Sequence, residues 1–286
     1  MKRFRGPLAF VAIFLVFGGF VIWTLQTDTS AQKKPDVTIA VVLYGDTADR
    51  WSSLDQGLRQ ACVELGIEKP ALTLAGTEGA EGQLAYLQRA VANGANGLLV
   101  AAEDPSLAEY LESLSIPVVA VETGAGENIP CVQADDSAMA RALANLHAGK
   151  GKTVAVLAEN LHRQNVKVRF DAFFERASEL GQEVLVLENT ELGRPTEQFI
   201  RYEVRAQNPD VLIVLDNETL ETTATALVTD PGVEVCGIGS SDAVVHALDQ
   251  DILDELCFSN EYAIGYIGTL TLAAEMGLAK EPQPVE

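Results

Sequence analysis

Polar and aromatic side chains collect in this sequence just beyond the ends of short apolar runs. Tyr44, Gly45, Asp46, Arg50 and Trp51 follow VTIAVVL, which begins at Val37; Glu122 follows PVVAV; Asp135 and Asp136 follow the brief piece PCVQA. In the second half, the segment from Glu159 to Lys167 follows TVAVLA, Asp216 and Asn217 follow DVLIVL, and Ser259 and Asn260 follow LDELCF. Open α/β sheets bind ligands outside the carboxyl ends of their strands, so groups placed there are candidates to converge on one small molecule. Carboxylates, amides and guanidinium groups bond hydroxyls, and an indole such as Trp51 offers a flat apolar surface to the C–H face of a sugar. For Trp51 the sequence leaves two readings: an exposed ring near a cleft, or a half-buried contact at a helix cap.

Covalent chemistry finds little support. GKGKT at 149–153 ends like a phosphate-binding loop, but Leu146 stands where the first glycine is required and the segment precedes a strand-like run instead of following one. Around Ser240 and Ser241 the G-x-S-x-G pattern of a nucleophile elbow is not met. None of the three histidines, His147, His162 and His246, lies at metal-ligand spacing from another histidine or a cysteine, so no metal or cofactor is expected. The four cysteines, Cys62, Cys131, Cys236 and Cys257, sit in or beside apolar stretches and read as small hydrophobes; a disulfide between Cys236 and Cys257 stays open as an alternative. The expectation is a binding protein and no enzyme; a glycosidase would need two cleft carboxylates at catalytic separation.

The apolar runs alternate with amphipathic segments, the rhythm of a parallel sheet flanked by helices. Strands are expected in the runs beginning at Val37, Ala71, Gly97, Pro117, Thr153, Glu183, Asp210, Val233 and Leu253. They are continuously apolar, as strands covered on both faces must be. Leu54, Leu58, Ala61, Cys62 and Leu65 follow helical spacing, and so do Phe170, Phe173, Phe174, Ala177 and Leu180. The rhythm breaks between Gly124 and Asp136. Two units of similar size therefore read as two doubly wound α/β parallel-sheet domains joined by a hinge: residues 36–134 with 260–286 as the first lobe, and 135–259 as the second.

Ahead of them Lys2, Arg3 and Arg5 precede an uncharged apolar run from Leu8 to Leu25. As a helix these residues span roughly 27 Å, close to the hydrocarbon thickness of a bilayer. The flanking positives keep that end in the cytoplasm and put the rest outside the cell membrane, with 1–26 as cytoplasmic tip and transmembrane signal anchor and 27–35 as linker. A cleaved signal peptide is the competing reading, disfavoured by the length of the run. The net charge is −21, and such a surface repels polyphosphates, so nucleic acid is not expected as a partner.

IAVVLYGDTADRWSSLDQGLRQACVELG, QLAYLQRAVANGANGLLVAAEDP, IPVVAVETG and NPDVLIVLDNETLETTATAL followed by VCGIGSSDAV, in that order, resemble the ribose-binding branch of the type I periplasmic sugar-binding proteins, relatives of the lactose-repressor ligand domain. The resemblance runs from about Val37 to Leu278. It implies the two-lobed hinged fold, a sugar-like small-molecule ligand, and as partner either an ABC permease or, for a sensor, a membrane partner such as a histidine kinase. It places Trp51 at the second binding-aromatic position with Arg50 in the first. Glu122 stands for a family aspartate, Asp135 for another at the first crossing, Lys167 for an arginine, Asp216 for an asparagine and Ser259 for a glutamine. Gly239 replaces the aspartate of the family's G-F-D motif, so several hydroxyl-binding groups are shortened or missing.

Overall fold

In this computed structural model, residues 37–191, 194–228, 232–280 and 282 are described. The expected membrane anchor and linker lie outside them. Among the described residues no helix is long and apolar enough to cross a membrane.

Each expected apolar run forms a strand, and PCVQA adds a short one. The first lobe contains β1 (Ile39–Leu43), α1 (Ser52–Leu65), β2 (Leu72–Leu74), α2 (Gly79–Ala92), β3 (Gly97–Ala101), α3 (Ala108–Glu112), β4 (Val118–Val121) and β5 (Cys131–Val132). The second contains α4 (Asp136–His147), β6 (Val154–Leu157), α5 (Gln164–Glu179), β7 (Val184–Leu187), α6 (Thr196–Gln207), β8 (Val211–Val214), α7 (Asn217–Leu227), β9 (Glu234–Ile238), α8 (Asp242–Asp249) and β10 (Glu255–Cys257). The last helix, α9 (Glu261–Glu275), returns to the first lobe: its Ile264 and Leu272 share a core with Leu54 and Leu58 of α1.

Both sheets are parallel, ordered β2-β1-β3-β4-β5 and β7-β6-β8-β9-β10. They repeat one topology. Every residue of β3, β4, β6 and β8 is buried, which is why those runs carry no polar alternation. In each sheet the strand order reverses between two neighbours, β1 and β3 in the first lobe and β6 and β8 in the second, and a crevice opens there. Four helices begin at side-chain caps: Asp135, Asp216, Ser241 and Asn260 each accept a backbone N–H of the following turn.

The helices α1 and α9 cross with almost no space between their backbones. A Cβ added at Gly57 would lie 2.0 Å from the Tyr262 carbonyl oxygen, and one at Gly265 would lie 2.2 Å from that of Leu54. Only glycine permits this approach.

Candidate ligand site

The loops leaving the two crevices face each other, and their side chains meet. After β1 come Tyr44 and a 3-10 turn, Asp49–Trp51; after β3 comes Glu103; after β6 come His162 and Arg163; after β8 come Asp216 and Glu218 at the start of α7. Arg163, 5% exposed at its side chain, crosses between lobes: its Nη2 donates to both Glu103 oxygens at 3.1 Å and its Nη1 to Glu218 at 2.8 Å. The guanidinium lies 4.0 Å from the centroid of the Tyr44 ring, and His162 Nε2 stands 2.9 Å from Glu103. Gly45, at φ 77°, lets the first lobe's backbone lie directly against the Glu218 carboxylate.

Deeper in, Arg50 pairs with Glu122 and, at 2.5 Å, with Glu261. Tyr44 donates its hydroxyl to Glu122 at 2.6 Å, and Ser240 of the second lobe donates to Glu261 at 2.5 Å. Burial, and after it the charge of Glu122, raises the Tyr44 phenol well above its ordinary value, so it remains a neutral donor. Glu122 holds this place in a left-handed backbone conformation, φ 64°, as does Asn160 at φ 54°, whose amide bonds Asp216. Such conformations cost about 1–3 kcal/mol in a non-glycine residue and concentrate at ligand clamps. On the floor, Arg169 donates to Asp136 at 2.7 Å and to the Leu215 carbonyl at 3.0 Å.

The inner space bounded by Arg50, Glu122, Arg169, Asn217, Ser240 and Glu261 has a volume of only about 10 Å³, room for about one water molecule. A wider depression of about 340 Å³ opens at the mouth, between Gly45, Thr47 and Gly76 of one lobe and Arg163, Glu218 and Thr222 of the other. The cleft is thus filled largely by the protein's own ion pairs. Buried Nε of Arg50, bordering the inner space, and of Arg163, bordering the outer one, lack hydrogen-bond partners among the described residues, which leaves donors for a polar ligand.

Of the residues expected from the sequence, Arg50 and Glu122 stand in the inner space, Ser259 borders it, and Asp216 lies beside it as a helix cap. Three stand elsewhere. Trp51 is 1% exposed, its ring edge-on to Tyr44 at 4.9 Å and its Nε1 donating to the Tyr44 carbonyl, so it is a core residue and not an exposed stacking surface. The reason is the 3-10 turn, which directs Arg50 toward Glu122 and Glu261 and sends the next side chain into the core beneath. Lys167 pairs with Asp171 one turn along its own helix and is exposed, while Arg169 takes the buried position. Asp135 is an exposed cap; its neighbour Asp136 is the buried carboxylate. Glu103, Arg163, Glu218, Ser240 and Glu261 complete the cluster. Glu103 was within reach of the strand-end rule, since it follows GLLVAA directly.

Glu261 is held above the usual carboxylate range by burial first and by Glu122 second, against the opposing pull of Arg50. A carboxyl whose folded value is raised binds its proton more tightly in the native state, so it favours folding at low pH and loses that contribution as pH rises through the window above about 4.3. Urea unfolding of the unit from Val37 between about pH 4.5 and 7 should therefore show a smaller fall in stability with rising pH for Glu261→Gln than for the parent. An unchanged pH slope would contradict the raised value.

Residues 39–280 match the model of the family described as periplasmic binding protein domain. A search of curated protein sequences finds no match. Among solved structures, an ABC transporter solute-binding protein from Burkholderia graminis in complex with D-arabinose superposes with a TM-score of 0.73 at 14% identity, covering 88% of this chain and 93% of that one. A putative LacI transcriptional regulator from Bacteroides fragilis gives 0.74 at 14%, covering 87% and 96%. A chain of the XylFII-LytSN complex gives 0.70 at 13%, covering 86% and 96%. At these identities the likeness is one of fold.

Proposed function

The chain belongs to the periplasmic binding protein family, whose members bind rather than transform, and we propose that it is an extracytoplasmic solute-binding protein that captures a small polar ligand, a sugar or sugar derivative, between its lobes. The observation that carries this reading is the meeting of both sheet crevices: the loops after β1, β3, β6 and β8 deliver Tyr44, Arg50, Glu103, Arg163 and Glu218 to one interlobe cleft. The lobes, 36–134 with 260–286 and 135–259, move about the crossings near Asp135 and Ser259, and the ligand exchanges with the internal ion pairs as they open and close. Arg50, Glu122, Glu103, Arg163, Ser240 and Glu261 are its contacts. An ABC permease receives the ligand, with the chain held at the membrane through residues 1–26.

A second reading is that of a membrane-anchored sensor signalling to a partner protein such as a histidine kinase. It is favoured by the internal closure of the cleft, since a lobe arrangement sustained by Arg163 is a state a partner can read.

A thermal-shift screen of the unit from Val37 against pentoses, hexoses and amino sugars tests the capture role. A true ligand at one hundred times its dissociation constant adds about 2.7 kcal/mol of stability. The expected result is a sugar that raises the melting temperature of the parent and not of Glu122→Gln. A panel in which no sugar does so, while another solute class does, would replace the ligand class.

A further inference from the structure

We propose that the second lobe carries a transition-metal site, best suited to Zn²⁺, formed by His147, Glu234 and Cys236 at the edge of its sheet away from the cleft. Glu234 and Cys236 are two apart in β9 and so project from the same face of the sheet. His147 ends α4, which runs from the crossing near Asp136 to the opposite, amino-terminal edge of the strands. An imidazole nitrogen, a Glu234 carboxylate oxygen and the Cys236 thiol all lie within 4.8 Å of one another.

The arrangement around the imidazole points to a ligand rather than an ordinary core histidine. His147 is 3% exposed, and its Nε2 is 3.1 Å from Oε2 of Glu255, the β10 residue paired in register with Cys236. A carboxylate that accepts the Nε2 proton fixes the tautomer and turns the Nδ1 lone pair outward, as second-shell carboxylates do for metal-bound histidines. Nδ1 then faces Oε1 of Glu234 at 3.5 Å. Two acceptors sharing a tetrahedral zinc ion, each about 2.0–2.1 Å from it, stand roughly 3.4 Å apart. The other oxygen of Glu234 is held by Lys152, which is 41% exposed and leaves Oε1 free to ligate. A thiolate, an imidazole and a carboxylate make a mixed donor set that favours zinc over magnesium or calcium, and the fourth position is left to water. Access is through Glu234, whose side chain is 28% exposed.

The alternative is a protonated His147 shared between Glu234 and Glu255, which needs no ion and involves no thiol. Cobalt separates the two, because only a coordinated thiolate gives a near-ultraviolet charge-transfer band. The full chain, stripped with a chelator and titrated with Co²⁺, should take up one equivalent with such a band, and Zn²⁺ should abolish it. Cys236→Ser should remove the band, and Glu255→Gln, which spares all three ligands, should weaken binding roughly 10- to 100-fold. Circular dichroism confirms that each variant is folded. No band in the parent chain, or a band that persists in Cys236→Ser, would overturn the proposal. Should Cys236→Ser fail to fold, the parent's melting temperature decides: Zn²⁺ should raise it where Mg²⁺ does not, and equal responses would refute the site.

Discussion

Replacing Arg163 with alanine should open the cleft and destabilise the molecule. Its guanidinium is buried between Glu103 of one lobe and Glu218 of the other, over the Tyr44 ring. Removing one partner of a buried ion pair leaves an uncompensated charge and costs about 3–5 kcal/mol. The Glu218 side chain is 35% exposed and regains some water, so a loss of about 2–4 kcal/mol is expected. Two carboxylates would then face each other across the interlobe boundary, and their repulsion is relieved by separation. Small-angle scattering of the unit from Val37 should show a larger radius of gyration for Arg163→Ala than for the parent. Glu103→Gln in the same background should recover part of both effects, since the two residues are coupled. An unchanged radius would mean that Ser240–Glu261 and the contact of the Asn165 amide with Thr123 hold the lobes without Arg163.

The second large effect is expected at Trp51. A ligand-stacking tryptophan could be removed with the fold intact; a core tryptophan cannot. Trp51 shares a core with Leu43, Leu54, Leu58 and Val121, and the Arg50 guanidinium lies 4.7 Å from its ring centroid. Trp51→Ala should cost about 3–5 kcal/mol by cavity formation, measurable as a lower urea midpoint. It should also loosen Arg50, and with it the link to Glu122 and Glu261. Full stability in this variant, with only ligand affinity lost, would restore the stacking role.

The fold was readable because burial on both faces erases alternation: GLLVA and VLIVL are continuously apolar, and a run of that length between helical segments is too short for a helix and fits a strand covered on both sides. The loops that form the site were readable for the same reason, since strand ends locate them. Which side chain in each loop turns inward was not. Arg50 and Trp51 are adjacent, and only the pitch of a 3-10 turn decides which reaches Glu122. Lys167 and Arg169 differ by two positions on α5, so Lys167 lies on the exposed side beside Asp171 of the same helix while Arg169 faces Asp136. Helical phase relative to a neighbouring lobe is a tertiary quantity, absent from local periodicity. His147 and Cys236 show the limit most clearly: spacing along the chain argued against a metal, while β9 and the end of α4 bring the two together in space.

The return of α9 to the first lobe also sets the order in which the molecule can be built. Residues 136–257 form a contiguous unit whose sheet and helices are complete once they have emerged from the ribosome. The first lobe is synthesised earlier but finishes later, because Leu54 and Leu58 keep an uncovered face until Ile264 and Leu272 arrive to pack on it. Contacts of such long sequence separation form slowly, since the intervening chain must be closed into a loop first. The unfinished lobe meanwhile exposes apolar surface, the kind of intermediate that chaperones shield. Through the backbone contact at Gly57 and Gly265, the first lobe closes only after the whole second lobe has been synthesised.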